Sequence, residues 1–183
     1  MSNKMLFLII MLVISFVRQS MGQVITAAMP ARLQVYVQRQ DGLQVMLTSE
    51  NLEISYDQLE MAGELKLESL HAQDDHVAHL LDSLAADIEA LRFSGSIPEG
   101  KFVFGDALDE QFSVETKLQF GGTESRIMLE FVVSNRKTSL ANTFQITCSG
   151  YISMKDDLGI EDTGGYDDRI SFQFVQNLQT KNY

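Results

Sequence analysis

The sequence contains a single cysteine, two prolines and no tryptophan among its 183 residues. One cysteine cannot form an internal disulfide, so the fold must be held together by an apolar core. The sequence also lacks a Gly-rich phosphate loop, a nucleophile elbow, a Cys-x-x-Cys pair and a His-Glu-x-x-His zinc motif. These absences leave no catalytic residue and no cofactor to assign, and we expect a protein that is not an enzyme.

Basic residues are scarce, with 14 Lys and Arg against 25 Asp and Glu, which gives a formal net charge of −11. No stretch of the sequence forms a basic stripe. An acidic surface repels phosphate backbones and anionic lipid surfaces. The charge balance therefore argues against nucleic acid as a partner.

The first 22 residues have the pattern of a secretory signal peptide. Lys4 precedes an apolar run from Met5 to Val17, and Ser20-Met21-Gly22 places small residues at a cleavage site. The apolar run is shorter than the roughly 20 residues that cross a bilayer, so we expect no stable membrane insertion. We predict cleavage after Gly22 and one exported domain, residues 23–183, that is periplasmic or secreted. An uncleaved membrane anchor is the alternative.

Alternating apolar residues predict that this domain is mostly β. The clearest hairpin joins Phe112–Phe120 to Ile127–Val133 around Gly121-Gly122, and Asp41-Gly42 is a second tight-turn signal. A change of parity at Asp57-Gln58 predicts a bend, bulge or turn. Long alternating runs also extend from Phe144 to Met154 and from Ile170 to Phe174. Such long strands favour a closed, antiparallel, lipocalin-like β-barrel over a sandwich.

One segment has helical rather than strand periodicity. Asp74-Asp75 provide N-cap chemistry, and a single apolar stripe follows at helical spacing, formed by Val77, Leu80, Leu81, Leu84, Ile88 and Leu91. The sequence predicts one amphipathic helix that ends near Leu91.

Three histidines, His71, His76 and His79, lie close together and raise the question of a metal site. With Asp82, the last two would lie opposite the apolar stripe, where no second shell is evident, so solvated or edge-packed histidines are favoured. The acidic segment Asp156–Asp168 lacks the spacing of an EF-hand loop and is interpreted as a solvated loop rather than a calcium site. Cys148 lies in phase with apolar neighbours and is predicted to be buried.

Several segments between about Leu52 and Leu178 resemble the YceI-like family of small exported lipocalin-type barrels. They are the strand Gly63–Leu70, the helix that leads into Leu91–Gly95, and the run Phe144–Ile160 with its Asp157-Leu158-Gly159-Ile160 turn. The match departs from the family at Ala107–Glu110. The resemblance implies a barrel that binds polyisoprenoid or another long apolar lipid, a structural role for His79, and no catalytic residues.

On that basis we predict an apolar lining for a lipid-like ligand. The nine predicted lining residues are Phe112, Val114, Leu118, Phe120, Ile127, Leu129, Phe131, Phe144 and Ile146. Two alternatives stay open: a filled barrel that acts as a structural or interaction module, and an enzyme with an unmarked site. The oligomeric state is also open, with a homodimer among the alternatives.

Overall fold

The computed structural model describes residues 24–28, 30–57, 59–99, 101, 110–137 and 142–181. The predicted signal peptide lies outside the described residues, as do residues 107–109 of the segment that departs from the family. The domain boundary predicted at residue 23 therefore stays a prediction.

The described residues form ten strands, and all their pairings are antiparallel. The strands are β1 (Val24–Ala28), β2 (Ala31–Gln38), β3 (Gln44–Asp57), β4 (Glu60–Lys66), β5 (His71–Ala72), β6 (Ala90–Ser96), β7 (Glu110–Phe120), β8 (Thr123–Lys137), β9 (Asn142–Ser153) and β10 (Arg169–Lys181). Eight of them follow one another in the order β10-β2-β3-β4-β6-β7-β8-β9, and β9 pairs again with β10. The sheet is thus closed, and the predicted antiparallel barrel is confirmed.

The barrel closes at β10, which pairs with β9 on one side and with β2 on the other. Phe174 lies opposite Cys148 of β9 and Leu33 of β2. Beyond the barrel, β1 extends the ladder along the end of β10, and β5 pairs with β3. Because closure removes the free edges of a sheet, each strand of the closed ring has a hydrogen-bonded neighbour on both sides.

Alternation of buried and exposed side chains explains why these segments form strands. Along β7, every second residue from Phe112 to Phe120 is buried, and the residues between them are exposed. The β7–β8 hairpin turns at Gly121, whose φ of 56° favours glycine, and the β2–β3 hairpin turns at Gly42, with a φ of 87°. Both turns match the sequence prediction, and β3 ends at Asp57, where the change of parity predicts a bend, bulge or turn.

Helix α1 (Asp75–Asp87) begins where the sequence predicts. The carboxylate of Asp74 accepts a hydrogen bond from the backbone N–H of Val77 at 3.1 Å, which satisfies a donor that the first turn leaves free. The predicted end near Leu91 is wrong, because the helix ends at Asp87 and Ala90 already belongs to β6. Ala90 and Leu91 pair with Lys66 and Leu65 of β4, so the strand ladder overrides the helical spacing there.

The N-cap of α1 gives a first testable prediction. Asp74→Ala is expected to lower the free energy of unfolding by about 1 kcal/mol, because the Val77 N–H loses its acceptor. Urea denaturation followed by circular dichroism would measure the change. Asp82→Ala, at an exposed position in the middle of the same helix, is the control. Equal effects at the two positions would contradict a capping role for Asp74.

Candidate functional site

The end of the barrel beneath α1 contains an apolar cavity of about 450 Å³. Twenty-five of the thirty residues that line it are Leu, Val, Ile, Met or Phe. They come from barrel strands, from α1, from the segment between β4 and β5 and from the segment between β9 and β10. A cavity of this size and composition lies within the roughly 300–1,000 Å³ range of small-molecule sites in proteins.

The five remaining lining residues carry polar groups, and none of them belongs to a barrel strand. Ser83 and Asp87 belong to α1, whereas Asp162, Thr163 and Tyr166 belong to the segment between β9 and β10. We call these five residues the mouth. The part of the lining that the barrel strands contribute is thus entirely apolar. This arrangement suits an amphiphile whose apolar part points inward.

Helix α1 covers the cavity with its apolar stripe. Val77 is buried, Leu81 and Leu84 are half-buried, and Leu80 keeps 38 % of its surface exposed, although all four line the cavity. In a packed core such a stripe would be fully buried. The stripe of α1 is only partly buried because it lies over the cavity.

Four phenylalanine rings mark where the cavity ends. Phe93 and Phe174 line the cavity and meet across the barrel, with 6.4 Å between their ring centroids. Beyond them, Phe131 contacts Phe174 edge-on at 6.2 Å and stacks on Phe112 at 5.3 Å. Phe112 and Phe131 do not line the cavity. Phe93 and Phe174 therefore form an aromatic floor, and the buried rings of Phe112 and Phe131 pack behind it.

The nine predicted lining residues are all buried inside the barrel, but they fall into two groups. Leu118, Phe120, Ile127 and Leu129 line the cavity. The others lie outside the cavity lining, in what we call the packed end: Phe112, Val114, Phe131, Phe144 and Ile146. Contact of any of the nine with a ligand stays a prediction.

The sequence analysis missed the contributions of α1, β2 and β10 to the cavity. Leu33 and Val35 of β2 line it, as do Phe172 and Phe174 of β10 and the apolar stripe of α1. The alternation of apolar residues in β2 and β10 and the helical spacing of the stripe could have indicated that these residues face the interior. The sequence pattern does not indicate that α1 covers one end of the barrel.

A buried polar pair lies away from the cavity. The hydroxyl of Tyr56 donates a hydrogen bond to Oε1 of Gln176 at 2.9 Å, and burial raises the pKa of that hydroxyl. Cys148 is fully buried, as predicted, and burial raises the pKa of its thiol well above its usual range. A thiol that stays protonated is a poor nucleophile, so Cys148 fits a core position.

The three histidines lie on the surface of the protein. His71, His76 and His79 are exposed, and the ring of His76 stacks on Tyr166 with 6.3 Å between centroids. Within the described residues, no group of three His, Cys, Asp or Glu side chains is placed to hold a metal ion.

In the loop after β9, Asp168 accepts hydrogen bonds from the Ser153 hydroxyl at 2.7 Å and from the Lys155 N–H at 2.8 Å. These hydrogen bonds hold the pKa of the Asp168 carboxyl below its usual range. Asp157 in turn accepts a hydrogen bond from the N–H of Ser153 at 2.8 Å. The two carboxylates therefore fix the turn that leads from β9 into the segment with Asp162, Thr163 and Tyr166.

No helix in the described part of the protein is long and apolar enough to cross a membrane.

Comparisons with known proteins identify the fold through structure rather than sequence. No protein-family model and no curated protein matches the sequence. Solved structures do match. A polyisoprenoid-binding domain from Saccharophagus degradans, implicated in plant cell wall breakdown, superposes with a TM-score of 0.65 at 14% identity, covering 84% of this protein and 96% of that domain.

Two further structures have the same fold. BcnA of Burkholderia cenocepacia matches with a TM-score of 0.54 at 13% identity over 80% of this protein and 95% of BcnA. A mutant of the CJ YCEI protein with a monobromobimane guest matches with a TM-score of 0.55 at 15% identity, over 72% of this protein and 81% of that one.

Fold and cavity together define a closed, eight-stranded, antiparallel barrel of the lipocalin type, covered at one end by a helix. Its fold is that of the YceI-like proteins and of the polyisoprenoid-binding domain. The resemblance found in the sequence is thereby confirmed at the level of the fold.

Proposed function

We propose that this protein is an exported binding protein that holds the apolar part of a lipid-like ligand in the cavity beneath α1. The observation that carries the proposal is the apolar cavity itself, with its polar groups confined to the mouth. Binding would be driven by removing apolar ligand surface from water, at roughly 25 cal/mol per Å². The polyisoprenoid-binding domain, which has the same fold, supports this choice of ligand class.

The volume of the cavity limits how much of a ligand can be enclosed. At roughly 30 Å³ for a water-sized group, a cavity of about 450 Å³ holds on the order of 15 such groups. A single alkyl or isoprenoid chain of that size fits between the mouth and the aromatic floor. A longer polyisoprenoid would place one end in the cavity and extend through the mouth.

Export is part of the proposal and is supported by the pattern of the first 22 residues, in which Lys4, an apolar run from Met5 to Val17 and the small residues of Ser20-Met21-Gly22 follow one another. Periplasmic or secreted protein should begin with Gln23, and N-terminal sequencing of the exported fraction tests this.

Ligand binding is tested on protein produced from the full-length gene and recovered after export. Native mass spectrometry should show one lipid-like molecule per protein, and solvent extraction should release it. Delipidated protein should then take up dodecanol. Protein that is reproducibly empty and takes up no amphiphile would overturn the proposal in favour of a filled-barrel interaction module.

Two adjacent residues provide a matched pair of variants for this test. Leu129 lines the cavity, whereas its neighbour Met128 points outward and is 51 % exposed. Leu129→Trp should reduce uptake of dodecanol about tenfold or more, because the larger side chain occupies cavity volume. Met128→Trp should leave uptake unchanged. Equal uptake by the two variants, both shown to be folded by circular dichroism, would place the ligand elsewhere.

A further inference from the structure

The cavity beneath α1 is open to solvent on one side. Among the described lining residues, four are exposed and the others are buried or half-buried. The four exposed residues are Leu80, Ser83, Asp87 and Asp162. The first three are spaced i, i+3 and i+7 along α1, so they lie on one face of the helix, within a sector of roughly 60°. The cavity therefore reaches the surface along this face of α1, and we call this passage the side opening.

The segment between β9 and β10 lies across the side opening from α1. Cδ1 of Leu80 lies 3.6 Å from the point at which a Cβ atom on Gly164 would lie. The N–H of Gly164 donates a hydrogen bond to the carboxylate of Asp162 at 3.0 Å, so Asp162 belongs to the same turn. Leu80 therefore extends from α1 to the opposite wall of the side opening.

Helix α1 is held in place at both ends of the side opening. At its N-terminal end, Val77 and Tyr166 belong to one buried apolar cluster, and the ring of His76 stacks on Tyr166. At its C-terminal end, a Cβ atom on Gly121 would lie 3.2 Å from Cδ1 of Ile88, so the β7–β8 turn lies close against the end of the helix. The contact across the side opening lies between these two ends and is made by a side chain that stays partly exposed.

We propose that the ligand enters and leaves the cavity through the side opening, and that the side chain of Leu80 gates this passage. The inference rests on the proposed binding function. An apolar chain that enters here passes between Leu80 and the turn at Gly164 and then lies beneath α1, while Val77 and Ile88 stay packed. Rotation of one exposed side chain requires less free energy than displacement of a helix that is packed at both ends.

A removable label on adjacent positions of α1 tests the side opening. Ser83 and Asp82 are both exposed, and Ser83 lines the cavity whereas Asp82 does not. In Ser83→Cys and Asp82→Cys, the introduced thiol is converted to a mixed disulfide with glutathione, a charged peptide that an apolar cavity excludes. Cys148 is buried and burial raises the pKa of its thiol, so it stays protonated and unlabelled.

The rates of uptake and release are followed by stopped-flow fluorescence with N-phenyl-1-naphthylamine, a neutral apolar dye, on the delipidated protein. Glutathione at position 83 should slow both rates about tenfold, and reduction of the disulfide should restore them. The dissociation constant should change by less than about twofold, because uptake and release slow together. Glutathione at position 82 should leave both rates unchanged.

Substitutions of Leu80 test the gate in both directions. Leu80→Ala widens the passage opposite Gly164 and should raise both rates about threefold or more, whereas Leu80→Trp narrows it and should lower both. A residue that only contacted the bound ligand would change the release rate and the affinity, not both rates in the same direction. Circular dichroism checks that both variants are folded.

The outcomes separate this inference from the function on which it rests. If the delipidated parent protein binds neither the dye nor dodecanol, the proposed binding function fails and the side opening fails with it. If the parent protein binds them, but the label has the same effect at positions 83 and 82, the ligand uses another route. Exchange at the parent rate in both Leu80 variants would likewise overturn the gate.

Discussion

Alanine at Phe131 is expected to lower the free energy of unfolding by about 4–5 kcal/mol, and alanine at Phe174 by about 3 kcal/mol. Both rings are almost fully buried and touch each other edge-on. Phe131 is surrounded by side chains of the packed end, so its removal leaves a new cavity. One side of Phe174 already borders an open space, so fewer contacts are lost there.

Chemical denaturation with guanidinium measures both changes in the free energy of unfolding. Met128→Ala, on the outer face of the barrel, is the control, and its free energy of unfolding should lie within about 0.5 kcal/mol of that of the parent protein.

Phe174→Ala and Phe131→Ala should also differ in ligand binding. Phe174→Ala removes half of the aromatic floor, so the cavity deepens and hexadecanol should gain affinity relative to dodecanol. Phe131→Ala leaves the floor in place and should not alter that preference. A larger loss of stability at Phe174 than at Phe131 would contradict the division of the barrel into a cavity and a packed end.

Gly150→Ala is expected to lower the free energy of unfolding by about 1–3 kcal/mol and to weaken dodecanol binding, although it adds a single methyl group. A Cβ atom at Gly150 would lie 2.8 Å from Cζ of Phe172 and 3.0 Å from Cδ2 of Leu129. Both neighbours line the cavity, so the methyl group displaces them into it. Urea denaturation and dodecanol titration measure the two effects.

Gly122→Ala is the matched control, because a Cβ atom there has nothing within 4 Å and the backbone does not require positive φ. This substitution should be close to neutral. Adding Phe172→Leu to Gly150→Ala should recover part of the lost stability, since the ring that the methyl group displaces is gone. If Gly150→Ala is as mild as Gly122→Ala, then Phe172 can move aside and does not define the cavity wall.

Much of the barrel could be predicted from the sequence, because alternation with a period of two is a direct consequence of strand geometry. The β7–β8 hairpin follows from alternating apolar residues on both sides of Gly121-Gly122, and the start of α1 follows from the capping chemistry of Asp74. The end of α1 could not be predicted in this way. Leu91 continues the helical spacing, but its pairing with Leu65 of β4 is a contact distant in sequence.

The candidate site was harder to predict than the fold, for a similar reason. Alternation shows that Phe131 and Leu129 point to the same side of β8, but not that the cavity ends between them. The position at which the cavity ends along β8 depends on the register of the strands and on which end of the barrel α1 covers.

The pairing of β10 with both β9 and β2 also has a consequence for the order of folding. β2 is the second described strand in the sequence and β10 is the last, so the pair that closes the barrel joins strands that are far apart in sequence. Contacts between distant segments carry a large loop-closure entropy and slow folding. Before Arg169–Lys181 has been synthesised, the other strands can form only an open sheet with two free edges. Arg169–Lys181 must therefore be synthesised before the barrel can close.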